Sequence, residues 1–200
     1  MFGSWDHTLR LWDIVSGSQR GEALTGHTNR ISCLAVTPDG MTAVSGSYDF
    51  TLRLWDIASG SQRGDMLRGH SNTINCLSIT PDGMAIVSGS YDCTLRIWDV
   101  ASGGQRGDAL RGHAHYISCL VITPDGATIV SGSWDATIRL WDMASGSQRG
   151  EALKGHTEII SCLTISPDGT TIASGSKDGT LRLWHMASEN QETEPEEDAL

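Results

Sequence analysis

At residues 69–99 the chain reads GHSNTINCLSITPDGMAIVSGSYDCTLRIWD. Three short runs in this segment, INCLSIT, MAIVSGS and TLRIW, are apolar or alternate apolar with polar side chains, which is typical of β-strands. Pro81 presets φ and Gly83 accepts a positive φ, so the sequence predicts a tight hairpin turn between the first two runs. The β-branched and aromatic residues of TLRIW suit a pleated sheet. Because no helical period runs through the segment, we predict strands only.

The segment belongs to a unit that repeats along the chain with a period of 43 residues. Trp55, Trp98, Trp141 and Trp184 are each 43 residues apart, and Trp12 lies 43 residues before the first of them. A fixed period of this length predicts one supersecondary unit per repeat, stacked on its neighbours. The predicted division is a partial repeat at 1–13, complete repeats at 14–56, 57–99, 100–142 and 143–185, and an acidic disordered tail at 186–200. We therefore predict an all-β repeat protein with four short strands per unit.

The composition excludes several classes of protein. Of the 200 residues, 38% are hydrophobic and the net charge is −10. This apolar content excludes bulk disorder, and the acidity argues against nucleic-acid and anionic-membrane partners. No apolar run approaches the about 18 residues of a membrane span, and the first residues lack the pattern of a signal peptide. We therefore expect a cytoplasmic protein with no membrane partner.

The cysteines indicate core positions rather than a metal or redox site. Cys33, Cys76, Cys119 and Cys162 recur once per repeat within apolar runs, and Cys93 stands apart. Without a Cys-x-x-Cys pair, the sequence supports neither a zinc site nor a redox motif. Isolated cysteines of this kind are typical of small core residues in a reducing intracellular compartment. We expect no metal and no cofactor.

Several motifs recur together at fixed offsets in each unit: a Gly-His pair, an apolar strand, TPDG or SPDG, an SGS-x-D corner and, in all but the last unit, a closing Trp-Asp. This combination resembles the WD40 repeat over residues 1–185, and the resemblance implies an all-β WD40 β-propeller of four-stranded antiparallel blades. The near-identical units also look like those of fungal NACHT–WD40 incompatibility receptors. The GxxxxGK[ST] loop of the nucleotide-binding half of such receptors does not occur here.

The resemblance also implies that each blade is held by a hydrogen-bonded tetrad of His, Ser, Asp and Trp. The matching positions are His27, Ser45, Asp49 and Trp55; His70, Ser88, Asp92 and Trp98; His113, Ser131, Asp135 and Trp141; and His156, Ser174, Asp178 and Trp184. Ser, His and Asp together also suggest a hydrolase. A hydrolase needs one exposed nucleophile, whereas this set recurs identically four times and includes a tryptophan. We therefore interpret the sets as structural and expect no catalytic residues and no enzyme activity.

One arginine per repeat lies two residues before the tetrad tryptophan. These arginines are Arg53, Arg96, Arg139 and Arg182. A ring of arginines could bind an anion or phosphate. The alternative is that each arginine pairs with a carboxylate of the neighbouring blade or is solvated along its strand. The acidic balance of the chain favours this second interpretation.

The repeats differ from one another mainly just after the Gly-His pair and just before the tetrad aspartate. In the propeller both positions lie on one rim, the top face, and rigidly presented loops commonly carry recognition. The candidate partner-binding residues are Arg30, Tyr48, Thr73, Tyr91, Tyr116, Trp134, Ile159 and Lys177. Tyr, Trp and Arg are enriched at binding hot spots, although drift among duplicated loops could also produce the variation.

Two functions follow from this surface. One is a non-enzymatic WD40 scaffold that binds a protein or peptide through its top-face loops. The other is a ligand-sensing array, for glycans or other pattern ligands, belonging to a NACHT-type signalling receptor or to a fragment of one. Pull-down of a specific protein would favour the first, and binding to a glycan array the second.

Strand counting predicts that the chain does not close comfortably on itself. Its N-terminal end offers two strands, around residues 7–14 and 19–25, and its C-terminal end offers three, up to His185. The ends could close a fourth blade with one strand to spare, but four blades in one ring would need unusually sharp packing angles. We therefore expect either a homodimer of about eight blades or further WD repeats in a longer parent chain.

Overall fold

The computed structural model describes residues 4–186, which form seventeen β-strands and no helix. The N-terminal sheet contains β1 (Leu9–Trp12) and β2 (Gln19–Leu24). The first complete sheet contains β3 (Ile31–Val36), β4 (Thr42–Ser47), β5 (Leu52–Asp56) and β6 (Gln62–Leu67). The second contains β7 (Ile74–Ile79), β8 (Ala85–Ser90), β9 (Thr94–Asp99) and β10 (Gln105–Arg111). The third contains β11 (Ile117–Ile122), β12 (Thr128–Ser133), β13 (Ile138–Asp142) and β14 (Gln148–Leu153). The C-terminal sheet contains β15 (Ile160–Ile165), β16 (Thr171–Ser176) and β17 (Leu181–His185).

These bounds confirm the predicted all-β architecture of repeated four-stranded antiparallel sheets. Since no helix occurs in residues 4–186, none of them forms a membrane-spanning helix. Of the predicted tail, only Met186 falls within the described residues, and residues 187–200 lie outside them.

Each complete sheet is an antiparallel meander whose fourth strand comes from the start of the next 43-residue repeat. In the first complete sheet, β6 pairs with β5 through Leu52 opposite Leu67, Leu54 opposite Arg63 and Trp55 opposite Gln62. The same register, with a bulge at the same place, recurs between β9 and β10 and between β13 and β14. Neighbouring repeats are therefore joined by main-chain hydrogen bonds as well as by packing.

The predicted hairpin turns form as local sequence chemistry requires. In the second complete sheet Gly83 has φ of +75°, which a residue with a Cβ rarely adopts. The carboxylate of Asp82 accepts the backbone N–H of Met84 at 2.9 Å, and the Thr80 hydroxyl oxygen accepts that of Ala85 at 2.9 Å. These side-chain contacts hold the β7–β8 hairpin tightly closed.

Adjacent sheets pack closely because a glycine on one sheet faces an isoleucine on the next. A Cβ added at Gly89 would lie 2.6 Å from Cγ2 of Ile117 and 2.7 Å from Sγ of Cys76. Gly46 meets Ile74 and Gly132 meets Ile160 in the same way. The apolar core therefore lies between sheets, as four clusters of buried residues that each combine side chains of two neighbouring sheets.

The five sheets follow one another as a series whose two ends differ. Extensive contacts join β3 to β7, β7 to β11 and β11 to β15, and within residues 4–186 none of similar extent joins β15 to β1, β2 or β3. Trp12 in the N-terminal sheet is 58% exposed, whereas its counterpart Trp55 is 2% exposed. In the C-terminal sheet Leu181 is 71% exposed, whereas its counterpart Leu52 is fully buried.

Candidate binding surface and buried tetrads

The second repeat shows how the four predicted tetrad residues meet. The indole N–H of Trp98 donates to Oγ of Ser88 at 2.9 Å, and Oγ of Ser88 lies 2.8 Å from Nε2 of His70. Nδ1 of His70 lies 2.8 Å from Oδ2 of Asp92. The Nδ1–H tautomer satisfies every group, because Nδ1 then donates to the carboxylate and Nε2 accepts the serine hydroxyl proton. The chain of hydrogen bonds crosses the sheet from the buried indole to the corner loop.

The same arrangement occurs in the other three repeats. Distances between histidine Nδ1 and aspartate Oδ2 are 2.7 Å for His27 with Asp49, 2.9 Å for His113 with Asp135 and 2.9 Å for His156 with Asp178. The serine hydroxyls that link histidine to indole are Ser45 with Trp55, Ser131 with Trp141 and Ser174 with Trp184. The structure therefore brings together all sixteen residues that the resemblance identified, as four separate networks.

The tetrad geometry does not present a nucleophile to a substrate. Ser88 is fully buried, and its oxygen is occupied by the indole N–H of Trp98. Asp92 also accepts hydrogen bonds from Thr94 and from the backbone N–H of Ser71. Burial raises the pKa of Asp92, but these hydrogen bonds and that of His70 outweigh it and hold the pKa well below its usual value of 3.8. The carboxylate is thus a structural acceptor that fixes the corner loop.

Three of the four repeated arginines each contact a glutamine of the strand beside them. Arg53 contacts Oε1 of Gln62 through Nη1, and the same contact joins Arg96 to Gln105. The expected partner was a carboxylate or water along the strand, but the register between the third and fourth strands places a glutamine beside each arginine instead. Arg139 is paired with Gln148 in the same way. For Arg182, no strand among residues 4–186 supplies the corresponding glutamine.

The two variable positions of each repeat lie side by side. The backbone N–H of Tyr91 donates to the carbonyl oxygen of Thr73 at 2.9 Å, and that of Trp134 donates to the carbonyl of Tyr116 at 2.9 Å. The equivalent bonds join Tyr48 to Arg30 at 3.0 Å and Lys177 to Ile159 at 2.9 Å. These bonds gather the eight candidate partner-binding residues into four pairs at one end of the sheets.

Aromatic rings from three successive repeats form one continuous row on this edge. The centroids of Tyr48 and Tyr91 are 6.5 Å apart, those of Tyr91 and Tyr116 are 4.5 Å apart, and those of Tyr116 and Trp134 are 5.3 Å apart. We refer to Tyr48, Tyr91, Tyr116 and Trp134 as the aromatic strip. Aromatic contacts of this kind stabilise the packing of the loops that carry the rings, and they hold the rings in defined orientations.

A cation lies at each end of the aromatic strip. The guanidinium carbon of Arg30 is 3.6 Å from the centroid of Tyr48, and it is 4.7 Å from that of Trp5. At the other end, Nζ of Lys177 is 5.8 Å from the centroid of Trp134. Cation–π attraction therefore extends the surface across the N-terminal partial repeat and the fourth complete repeat.

Other variable residues differ from the predicted set. Thr73 is only 4% exposed, so it contributes its carbonyl to the loop and not its side chain to the surface. His115, which was outside the predicted set, stacks on Trp134 with centroids 5.5 Å apart. Its place in the variable segment after a Gly-His pair was the available sequence signal.

Within residues 4–186, no three His, Cys, Asp or Glu side chains converge on a possible metal position.

Comparison with known families agrees with this architecture. The family model described as WD domain, G-beta repeat matches residues 17–56, 60–99, 104–142 and 146–185, which together make up more than half of the chain. The matched segments follow the predicted repeats, and each begins a few residues inside the predicted boundary. No curated protein matches the chain.

Proposed function

The chain belongs to the WD40-repeat family, and from this premise we propose that it is a non-enzymatic scaffold that binds a protein or peptide through the aromatic strip. WD40 repeats typically mediate protein interactions. The observation that supports this particular surface is the unbroken row of rings between Arg30 and Lys177. Rigid aromatic side chains offer large contact area at low conformational cost, and they are common binding hot spots.

The ring geometry favours a peptide over a carbohydrate. A sugar would need free ring faces on which to stack, but Tyr91 and Tyr116 stack on each other with planes inclined by only 15°. One face of Trp134 is likewise covered by His115, again at 15°. Trp134 is 38% exposed, and Tyr91 and Tyr116 are partly exposed, so the strip offers contact area to side chains of an extended segment. Cations at both ends of the strip suit a peptide that carries acidic groups on either side of apolar ones.

A second function, ligand sensing by the repeat array of a NACHT-type signalling receptor, uses the same surface. It is supported by Trp5, an exposed ring at the end of the strip. The five cysteines are unpaired, which fits a reducing cytoplasmic setting for either function. For either function we also propose that further WD blades complete the ring, from a second copy or from a longer chain.

The test is a selection of displayed peptides on the native chain, with a glycan array probed in parallel. Two variants are compared: Trp134→Ala removes a strip residue, and Met84→Ala removes an exposed apolar residue at the opposite end of β8 from Tyr91. Selected peptides should bind Trp134→Ala at least about tenfold more weakly and bind Met84→Ala like the native chain. Glycans on the array that bind the native chain but not the Trp134→Ala variant would favour the sensing function. Peptides that bind both variants equally would contradict the assignment of this surface.

A further inference from the structure

The C-terminal sheet lacks the strand that covers the third strand of every complete sheet. Among residues 4–186, β17 pairs only with β16, so its outer edge is open. Leu183 is 62% exposed there, whereas its counterpart Leu54 is 3% exposed beneath β6. An apolar strand edge of this kind is a template for pairing with another strand.

The rest of the molecule shows what kind of strand fits this edge. The covering strands β2, β6, β10 and β14 read QRGEAL, QRGDML, QRGDAL and QRGEAL at their starts. In each pairing the Leu lies opposite the first apolar residue of the strand that is covered, and the Gln lies opposite the tryptophan of that strand. On β17 these positions are Leu181 and Trp184, and Arg182 between them takes the place of the arginine that contacts the glutamine. The residues along the edge of β17 therefore match those that pair with a strand beginning Gln-Arg-Gly elsewhere in this chain.

One such strand, β2, sits at the other end of the chain in a weaker setting. It is paired with β1, and the segment TLRLW at residues 8–12 is identical to TLRLW at residues 180–184. Side-chain contacts with β2 can therefore be the same on either strand. The two strands differ in whether a further strand pairs with them. Among the described residues β1 pairs with no strand other than β2, whereas β17 already pairs with β16. A two-stranded hairpin is marginal in water, whereas a completed four-stranded sheet is not.

We propose that two copies of this chain exchange strands, with β2 of each copy leaving β1 and becoming the fourth strand on β17 of the other copy. In the single chain, Leu9 packs in one cluster with Leu24 and Ile31. In the dimer, Leu181 of the other copy takes the place of Leu9, with an identical side chain. Residues 4–186 of each copy form three complete sheets, one three-stranded sheet and the two-stranded sheet that supplies β2, so the exchange closes a two-fold ring of eight blades. The exchange does not depend on what the aromatic strip binds.

A second position at the same end independently lacks a partner residue. In the complete sheets, Gly46, Gly89 and Gly132 each face an isoleucine. That isoleucine is the first residue of the next sheet, at the start of β7, β11 or β15. A Cβ at Gly175 would meet only Sγ of Cys162, at 2.8 Å. The isoleucine with the matching place in its repeat is Ile31, the first residue of β3. In the exchanged dimer, Ile31 of the second copy would pack against Gly175, as Ile74 packs against Gly46.

A disulfide placed across the expected register tests the exchange in the full chain. The equivalent of Leu54 opposite Arg63 is Leu183 opposite Arg20 of the second copy. We therefore compare Arg20→Cys/Leu183→Cys with Arg63→Cys/Leu183→Cys, in which the first cysteine lies on β6 inside a complete sheet. Mild oxidation should link residues 20 and 183 of different copies in the first variant, as mapped by mass spectrometry, and not residues 63 and 183 in the second.

Light scattering coupled to size exclusion supplies the mass of the native assembly. The expected value is twice the 21.5 kDa of one chain. Leu181→Lys should return the protein to a monomer, whereas Met84→Lys, at a similarly exposed residue away from β17, should leave the dimer intact. A native monomer at every concentration, a dimer without the 20–183 link, or an intramolecular 20–183 link would each overturn the exchange.

Discussion

The phenol ring of Tyr91 stacks on that of Tyr116, with centroids 4.5 Å apart and planes inclined by 15°. Tyr91 lies in the corner loop after β8, and Tyr116 lies just before β11 in the next sheet. The contact therefore joins two sheets at the edge where their variable loops meet. It turns loops that differ in sequence into one surface with a fixed shape.

Tyr91→Ala is expected to weaken binding of a selected peptide by about 2 kcal/mol, or about thirtyfold, because it removes the ring that bridges Tyr48 and Tyr116. Tyr91→Phe keeps the ring and serves as the matched control. Titration calorimetry measures the affinity, and urea unfolding checks that both variants fold. Equal affinity of the alanine variant and the native chain would remove Tyr91 from the binding surface.

Asp92→Ala is expected to lower the free energy of unfolding by roughly 1–3 kcal/mol, because His70 loses its acceptor in a buried network. The control is Asp6→Ala, since Asp6 holds the same place in the partial repeat but is exposed and bonds only to nearby residues. We expect a clearly smaller change for the control. Urea midpoints measure both, and a native-like midpoint for Asp92→Ala would show that the network adds no stability.

The chain should lose stability in acid. Burial raises the pKa of Asp49, Asp92 and Asp135, but hydrogen bonds from the paired histidine, a threonine and a backbone N–H lower it well below 3.8. The unfolded chain therefore binds more protons, so this stability is present above about pH 4 and is lost as the pH falls further. Urea midpoints measured between neutral and acidic pH should fall less steeply for Asp92→Asn than for the native chain. Parallel curves would argue against a shifted pKa at Asp92.

Gly89→Ala should destabilise the fold by about 1–3 kcal/mol, because the new methyl group would clash with Ile117 and Cys76 between two sheets. Gly104→Ala is the matched control, since its Cβ would meet only Oγ of Ser102, at 3.3 Å, and the other repeats carry serine there. Thermal unfolding of the two variants compares them directly. A native-like melting temperature for Gly89→Ala would mean that the sheets can move apart without cost.

The thiols should react in an order set by their position in the series of sheets. Burial raises the pKa of Cys33 to about 12, so little thiolate is present at neutral pH. Cys162 has the same place in its repeat but is exposed in the C-terminal sheet. At a concentration where light scattering shows the monomer, in which no second copy covers Cys162, alkylation followed by mass spectrometry should label Cys162 well before Cys33. Equal labelling rates would contradict the difference in burial.

Much of the fold is predictable because its causes are local. The predicted strand around residues 19–25 is β2 (Gln19–Leu24), and the turn at Gly83 forms where Pro and Gly require it. The partner of Arg53 was not predictable in this way. Gln62 belongs to the next repeat, and it reaches Arg53 only because of the register between β5 and β6. The burial of Thr73 likewise depends on how its loop packs, which residue type does not reveal.

By itself, the sequence determined the 43-residue period and the strands and turns of each unit, whereas the four sets of His, Ser, Asp and Trp were identified through the resemblance to the WD40 repeat. Strand alternation and turn chemistry act over a few residues, and repetition makes the pattern unmistakable. Only the tertiary structure decided that Tyr91 stacks on Tyr116 and that Leu181 is left uncovered. Both depend on how neighbouring sheets pack and on which strand covers an edge. Those relations join residues that are distant in the chain, and no local preference encodes them.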